Sequence, residues 1–292
     1  MLRNSLSPSL RALLISLAIA AALAVFAVTS AEPVLRVSLV PDETPNILRR
    51  KFKPLSDYLE KEIGMKIEFR PMASEESLVD ALAANKLDMV WFGGFNFIQA
   101  KLRSNDQVIP IVQRAEDEQT RSVFITAYDD ITKLEDLKGK TFTFGPESST
   151  SDHLMPRAFL LAAHIDPEDD MKHLSYSGTH KALVAAVTSG KVDAGVLNKQ
   201  TWEELLAKGK ADPNMLQVFY ITPRYYDHNW TARADMDENL RQKLTDAFLS
   251  LNQNYALDKE ILDLQRASKF IPSKAENYSA IEAVARSAGL LK

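Results

Sequence analysis

Residues 141–163 read TFTFGPESSTSDHLMPRAFLLAA and contain the strand–turn–helix unit on which this chain is built. Apolar side chains recur every second residue over Thr141–Phe144, which predicts a strand. Asp152–Ala163 carries apolar residues at helical spacing, which predicts an amphipathic helix. Four consecutive hydroxyl residues, Ser148–Ser151, fill the turn between the two elements.

This turn is a candidate site for an anion. A helix N-terminus has unpaired N–H groups and partial positive charge, and hydroxyl donors beside it suit a solute with several oxygens. The alternative is that one hydroxyl only caps the helix. Four in succession after a strand keep both interpretations open.

The first 31 residues have the pattern of a secretory signal peptide. Arg3 and Arg11 precede the apolar run Ala12–Val28, and small residues follow as far as Ala31. We expect cleavage after Ala31, with an uncleaved membrane anchor as the alternative. The chain has no cysteine, so we expect no lipid attachment, no zinc–thiolate site and no thiol nucleophile.

The net charge argues against polyanionic partners. The whole chain carries −4, and removal of the two arginines of the leader makes the rest more negative still. Nucleic acids and anionic membranes are therefore not expected partners. A bound anion would have to be held by local donors, because the overall field repels it.

Strands and helices alternate over most of the chain, which predicts βαβ units with parallel sheets. The polar segment 115–121 interrupts this alternation, and an irregular aromatic segment, 221–230, follows a second α/β block. We expect two helices to close the chain. Two α/β blocks joined by short crossings predict two lobes with a cleft.

Four loops fall at the carboxyl ends of predicted strands, where ligands bind in open α/β sheets. They are Pro41–Thr44, Phe92–Phe95, Ser148–Ser151 and Ser177–His180. Gly93 and Gly94 would let main-chain N–H groups approach a ligand, although a plain tight turn explains the pair equally well. His180 begins a helix and could donate to an anion or could be a solvated cap.

No enzyme class is supported by a motif. The chain lacks the G-x-S-x-G, H-E-x-x-H, P-loop and dinucleotide-binding patterns. For His153, beside the hydroxyl turn, an outward orientation stays open. His164, His173 and His228 lack metal-type spacing and are predicted to be structural. We expect no metal or cofactor.

Several motifs together resemble the phosphate/phosphite/phosphonate-type periplasmic binding proteins of ABC transporters. The resemblance extends over nearly all of the chain after the leader. Within that family the chain is most similar to a subgroup associated with selenate, on the segments 92–95 and 225–230. The family motifs are SSTS at Ser148–Ser151, YSGTH at Tyr176–His180, GKVDAGVLN at Gly190–Asn198, and the segments Phe52–Gly64 and Ile261–Pro272.

The resemblance implies a type II binding-protein fold, in which two α/β lobes joined by two crossings close on the ligand. It places lobe 1 at residues 32–118 and 229–292, and lobe 2 at residues 119–228. It implies oxyanion contacts from Ser149, Thr150, Ser151 and His180. Further candidate ligand-binding residues in the two lobes are Ser148, Tyr176, Asn198, Trp91, Phe92, Gly93 and Glu43.

Two positions depart from the family pattern. Asn198 stands where phosphonate-binding relatives carry an aspartate for a ligand amine, which favours a bare tetrahedral anion. Asp152 stands where the family often has glycine. We expect its carboxylate to complement the helix dipole along its own first turn and to point away from the ligand.

The predicted function is that of a periplasmic, monomeric solute-binding component of an ABC importer, whose partner is an inner-membrane permease. Its ligand is expected to be a small tetrahedral oxyanion of the selenate, sulfate, phosphonate, phosphite or phosphate class. One alternative is a receptor that presents its ligand to a membrane sensor. Another is a periplasmic phosphate- or sulfate-ester hydrolase.

Overall fold

The computed structural model describes residues 33–291, so the predicted leader lies outside the described residues. The chain first forms the elements β1 (Val34–Leu39), α1 (Pro45–Ile63), β2 (Lys66–Phe69), α2 (Glu75–Ala83), β3 (Met89–Phe92), α3 (Gly94–Arg103) and β4 (Val108–Arg114). It then forms β5 (Ser122–Thr126), β6 (Thr141–Phe144), α4 (Met155–Ala162), α5 (Pro167–Asp170), β7 (His173–Tyr176), α6 (His180–Thr188), β8 (Ala194–Asn198), α7 (Lys199–Ala207) and β9 (Gln217–Ile221). The last elements are β10 (Asn229–Arg233), α8 (Glu238–Ser250), α9 (Ala256–Gln265), β11 (Phe270–Pro272) and α10 (Ser279–Ser287).

These elements form two lobes, each with its own mixed sheet. The sheet of lobe 1 has the order β11-β4-β10-β3-β1-β2, and that of lobe 2 has the order β7-β6-β8-β5-β9. Strands β2, β1 and β3 are parallel in the first sheet, and β7, β6 and β8 are parallel in the second. The prediction of parallel sheets is thus wrong for part of each sheet.

Apart from the edge strand β11, the strands that run against their neighbours adjoin the crossings between the lobes. β10 is antiparallel to both β3 and β4, and β5 is antiparallel to both β8 and β9. Each strand enters its sheet directly from the other lobe instead of through a crossover helix, and so it need not be parallel to its neighbours.

Apolar side chains cover both faces of each sheet. Leu35, Val37 and Leu39 alternate along β1 and pack with Phe52 and Leu55 of α1. In the second sheet, the two phenylalanines predicted to lie on one face of β6 are fully buried in a common core with α4. This burial holds the carboxyl ends of both sets of parallel strands at fixed positions along the cleft.

The two crossings pair with each other between the lobes. The amide of Tyr225 donates to the Thr120 carbonyl, and the amide of Asp227 donates to the Asp117 carbonyl, both at 3.0 Å. The sequence suggested an irregular segment through Trp230, but β10 begins at Asn229 and lies inside the first sheet.

The end of the chain contains more structure than the sequence suggested. Instead of two closing helices, α8, α9 and α10 follow β10, and the short edge strand β11 pairs with β4. The end of α9 reaches the cleft. Among residues 33–291, no helix combines the length and the apolar character needed to span a membrane.

Candidate functional site

A cleft of about 150 Å³ lies between the lobes. Its walls come from the carboxyl ends of strands in both lobes, as expected for α/β sheets. From lobe 1, and from the crossing that leads into β10, the cleft is lined by Leu39, Val40, Pro41, Asp42, Leu48, Lys51, Glu75, Trp91, Arg114, His228, Leu264, Gln265 and Arg266. From lobe 2 it is lined by Pro146, Ser149, Ser151, Asp152, Gly178, Thr179, His180, Asn198, Gln200 and Thr201.

The hydroxyl turn runs into a single turn of π-helix, Thr150–Leu154, that leads into α4. Ser149 caps this turn, because its hydroxyl accepts a 3.2 Å hydrogen bond from the Asp152 amide. Ser149 and Ser151 also line the cleft, so the capping and binding interpretations do not exclude each other. Wide π turns recur at functional sites because they redirect side chains that a regular helix would point elsewhere.

The other two hydroxyl residues contact lobe 1 and do not line the cleft. The Oγ1 of Thr150 accepts a 2.9 Å hydrogen bond from the amide of Phe95, at the N-terminus of α3. The hydroxyl of Ser148 donates to Glu75, and its carbonyl accepts from the side chain of Asn96. Both residues therefore connect the lobes, whereas the sequence placed them at the ligand.

Gly93 also serves the contact between the lobes. A Cβ at this position would lie 2.7 Å from the Thr150 hydroxyl and 3.2 Å from Oδ1 of Asp227. Only glycine permits this approach. The N-terminus of α3 is thus met by Thr150, so the expected approach of a ligand to its N–H groups is not what the structure shows.

Three other candidates lie away from the cleft lining. Phe92 points into the core because its place on β3 faces α2 and α3. Glu43 turns toward Lys51, with which it forms a 3.3 Å ion pair, while the neighbouring Asp42 lines the cleft. Tyr176 stacks on Phe144 and meets the His153 ring edge-to-face behind the hydroxyl turn.

His153 is buried, so the open outward orientation is excluded. Its Nδ1 donates to the carbonyl of Glu147 at 2.6 Å and holds the loop before Ser148. Burial lowers the pKa of His153, although the Glu147 carbonyl opposes the shift. The ring is therefore neutral at pH 7 and anchors the turn without adding charge to it.

Asp152 joins three parts of lobe 2. One carboxylate oxygen accepts from Nε2 of His180, and the other accepts from the amide of Asn198, both at 2.7 Å. The carboxylate therefore reaches across to neighbouring strand ends and does not run along its own first turn. Burial alone would lower the pKa of His180, but the charge and the hydrogen bond of Asp152, together with the charge of Asp42, outweigh it, and the pKa is raised.

Asn198 lines the cleft and is the cap of α7. Its side-chain oxygen accepts from the amides of Gln200 and Thr201. This leaves the amide nitrogen as the donor that Asn198 can offer to a solute. The geometry is thus compatible with the expected donor at this position, and the side-chain nitrogen is the atom that can donate.

A buried ionic cluster underlies the cleft in lobe 1, and sequence reasoning missed most of it. Arg114 forms two 2.7 Å hydrogen bonds with Asp117 and places its guanidinium 5.0 Å from the ring centroid of Trp91. His228 stacks on the same indole with centroids 5.4 Å apart. His228, predicted to be structural, also lines the cleft.

His228 and Asp227 form an ion pair, with Nδ1 and Oδ2 3.3 Å apart, that is not aligned as a hydrogen bond. Burial lowers the pKa of His228, but the carboxylates of Asp227 and Asp117 outweigh it, and the net shift is upward. The Asp227 carboxylate lies beside the N-terminus of α3, where negative charge is stabilised.

A signal for these residues existed in the sequence. The apolar residues of Gln107–Gln113 predict a strand that ends just before Arg114, and the carboxyl-end rule that selected four loops applies equally to this residue. His228 and the residues at the end of α9 had no such signal, because neither β10 nor α9 was predicted.

Comparison with known proteins gives a consistent result. Residues 37–278 match the family described as "ABC transporter, phosphonate, periplasmic substrate-binding protein". A probable ABC transporter phosphite binding protein, PhnD1, from Prochlorococcus marinus (strain MIT 9301) is 34% identical over 265 residues, which are 87% of this chain and 89% of the relative.

Solved structures agree with the sequence comparison. The structure of PhnD1 from P. marinus in complex with methylphosphonate superposes with a TM-score of 0.80 and 34% identity, over 88% of this chain and 98% of that one. The periplasmic aliphatic sulphonate binding protein SsuA from Escherichia coli, at 16% identity, shares the fold with a TM-score of 0.61 over 88% of each chain. The predicted two-lobed fold is confirmed.

Proposed function

Because the chain belongs to the phosphonate-binding periplasmic substrate-binding proteins of ABC transporters, we propose that it captures a small phosphorus oxyanion with one non-oxygen substituent. Phosphite and methylphosphonate are the simplest such anions. One relative is described as binding phosphite, and its structure was determined with methylphosphonate. Membership of this transport family also supports the prediction that the protein is not an enzyme.

The observation that carries the proposal is the chemical difference between the two walls of the cleft. Lobe 2 offers the hydroxyls of Ser149 and Ser151, the ring of His180 and the side-chain amide of Asn198. Lobe 1 contributes charged and polar side chains, but it also offers an apolar patch that consists of Leu39, Val40, Leu48, Trp91 and Leu264.

This asymmetry favours an anion whose four substituents are not all oxygen. An oxygen of phosphate, sulfate or selenate placed against the apolar wall would lose its hydration without gaining a hydrogen bond, which costs about 1–3 kcal/mol. The hydrogen of phosphite or the methyl group of methylphosphonate has no such requirement. We therefore place the phosphite and alkylphosphonate class ahead of selenate.

The size of the cleft supports a small ligand. Its volume of about 150 Å³ is well below the roughly 300–1,000 Å³ of sites for drug-sized molecules. A long alkyl chain or an attached sugar would have to leave the cleft between the lobes. A solute of a few non-hydrogen atoms fits the enclosed space.

Capture would occur by closure of the lobes about their paired crossings. Lobe boundaries near residues 118 and 228 would place the bending residues within these crossings. Cleavage of the leader after Ala31 would leave a monomer free to deliver its ligand to a permease. Presentation to a membrane sensor would use the same closed form.

Isothermal titration calorimetry with five anions tests the ligand class. We expect methylphosphonate and phosphite to bind at least about tenfold more tightly than phosphate, sulfate and selenate, because the latter must leave one oxygen unpaired. Tighter binding of selenate or sulfate would contradict the proposal.

The variant Leu264→Asn tests the apolar wall directly. It offers a hydrogen-bonding group at the wall, so the preference for methylphosphonate over phosphate should fall about tenfold. Leu257→Asn is the matched control, since Leu257 lies on the same helix, is exposed and does not line the cleft. Equal effects of the two substitutions would count against the assignment of the wall.

A further inference from the structure

Asp152 occupies a position where three chain segments of lobe 2 meet. Besides its bonds to His180 and Asn198, its main-chain carbonyl accepts a 3.0 Å hydrogen bond from the amide of Gly145. A Cβ at Gly145 would lie only 2.4 Å from the Cβ of Asp152, so glycine is required for this approach. The carboxylate is almost fully buried and held on both oxygens.

The bond to Asp152 determines the state of the His180 ring. An ionised carboxylate only accepts hydrogen bonds, so Nε2 of His180 must carry a proton. His180 lines the cleft, and Nδ1 is the ring nitrogen left for a solute. To donate to an anion, Nδ1 must carry a proton as well, and a ring protonated on both nitrogens is an imidazolium.

Charges from other elements also face this ring. Asp42, in the loop after β1, favours the imidazolium, and Arg266, at the end of α9, opposes it. Burial opposes it as well. Burial is the largest single effect, but the charge and the hydrogen bond of Asp152, together with the charge of Asp42, outweigh it and Arg266, so the pKa of His180 is raised.

We propose that Asp152 is a positioning residue that holds His180 as an imidazolium and leaves its Nδ1–H to donate to the bound oxyanion. The inference rests on the proposed function for the identity of the anion. Asp152 and His180 together carry no net charge, so the buried carboxylate does not repel the ligand. A charge-assisted hydrogen bond replaces the weaker one that a neutral imidazole could give.

The substitution Asp152→Asn separates charge from geometry. The asparagine oxygen can still accept from the Asn198 amide, and its nitrogen can donate to Nε2 of a neutral His180. The ring then keeps its place and loses its positive charge near neutral pH. Asp193→Asn is the control: Asp193 also joins β6 to β8, through two bonds to Thr141, but it precedes β8, at the end away from the cleft.

The first measurement is an NMR titration of the His180 ring in ligand-free protein, with the signal assigned by its loss in His180→Gln. We expect the wild-type ring to titrate above the ordinary histidine value of about 6.5, and the Asp152→Asn ring to titrate below it. A wild-type midpoint at or below about 6.5 would overturn the proposal, whether or not the variant folds.

The second measurement is the ratio of the Kd values of Asp152→Asn and wild type for methylphosphonate, from about pH 5 to pH 8. The ratio cancels the protonation of the ligand itself. We expect it to rise with pH to about five- to tenfold, and the ratio for Asp193→Asn to stay near one. A ratio independent of pH would refute the imidazolium role.

The two proposals fail in different ways. If the wild-type protein bound neither methylphosphonate nor phosphite, the proposed function would be wrong. The titration of His180, which needs no ligand, would still decide whether Asp152 holds the imidazolium.

Discussion

Three adjacent hydroxyl residues of lobe 2 have three different roles. Ser149 caps the π turn and lines the cleft, Thr150 accepts from the Phe95 amide of lobe 1, and Ser151 faces the cleft while its carbonyl accepts from Ser122. The residue types alone are equivalent donors and acceptors. Their roles differ because each step along the turn rotates the side chain toward a different neighbour.

Thr150→Val should weaken ligand binding about tenfold without direct contact with the ligand. In this variant the closed form would bury the Phe95 amide without an acceptor, which costs about 1–3 kcal/mol. In an opened form, water can accept the hydrogen bond from this amide. Calorimetric titration of methylphosphonate measures the effect. Thr188→Val, which removes a hydroxyl bonded within α6 of the same lobe, should bind like wild type.

At the scale of elements, helices from the two lobes meet at the rim of the cleft. Arg266, just after α9, forms a 2.6 Å ion pair with Glu204 of α7, and Gln200 donates to the Arg266 carbonyl. The sequence predicts a helix over Thr201–Lys208, which corresponds to α7, but none at α9, so this contact could not be foreseen. The ion pair is half-exposed, and its contribution to closure is therefore modest.

Glu204→Gln should weaken binding by about two- to threefold at low salt, because it removes an ion pair formed across the cleft. The difference from wild type should shrink as salt is added, since screening weakens half-exposed pairs. Glu203→Gln is the control, because Glu203 pairs with Lys199 within α7. A salt-independent loss, or an equal loss in the control, would argue against a contact that favours closure.

At the scale of the whole molecule, the contacts between the lobes couple ligand binding to stability. The paired crossings, the Thr150–Phe95 bond and the rim ion pair all join the two sheets. A ligand that bridges the cleft stabilises both lobes together, because it binds the folded form and not the unfolded chain.

Methylphosphonate at about 100 times its Kd should raise the Tm by about 5–10 °C. This concentration adds about 2.7 kcal/mol to the free energy of unfolding, and a protein of this size gains about 2–4 °C for each kcal/mol. A thermal-shift assay measures it, with sodium chloride of equal ionic strength as the control. A rise of less than about 2 °C at that concentration would indicate that the ligand does not bridge the lobes.

The alternation of strands and helices, the hydroxyl turn and the histidine at the start of α6 could be read from residues 34–221, because their patterns are local. The strand β10 and the helix α9 could not. Strand β10 is short and aromatic, and helix α9 follows a polar turn, so neither carries a distinct periodic signal. The residues missed at the site, His228 and Leu264–Arg266, lie within these two elements or directly beside them.

The sequence by itself determined the two-lobed α/β class, the family, and the hydroxyl turn and histidine of lobe 2, since hydrophobic periodicity and turn chemistry act over a few residues. Only the tertiary structure decided which hydroxyls line the cleft, that Asp152 binds His180, and that Thr150 and Gly93 join the lobes. Those contacts link residues about 30 to 60 positions apart, and their geometry follows from how two sheets pack, which no local pattern encodes.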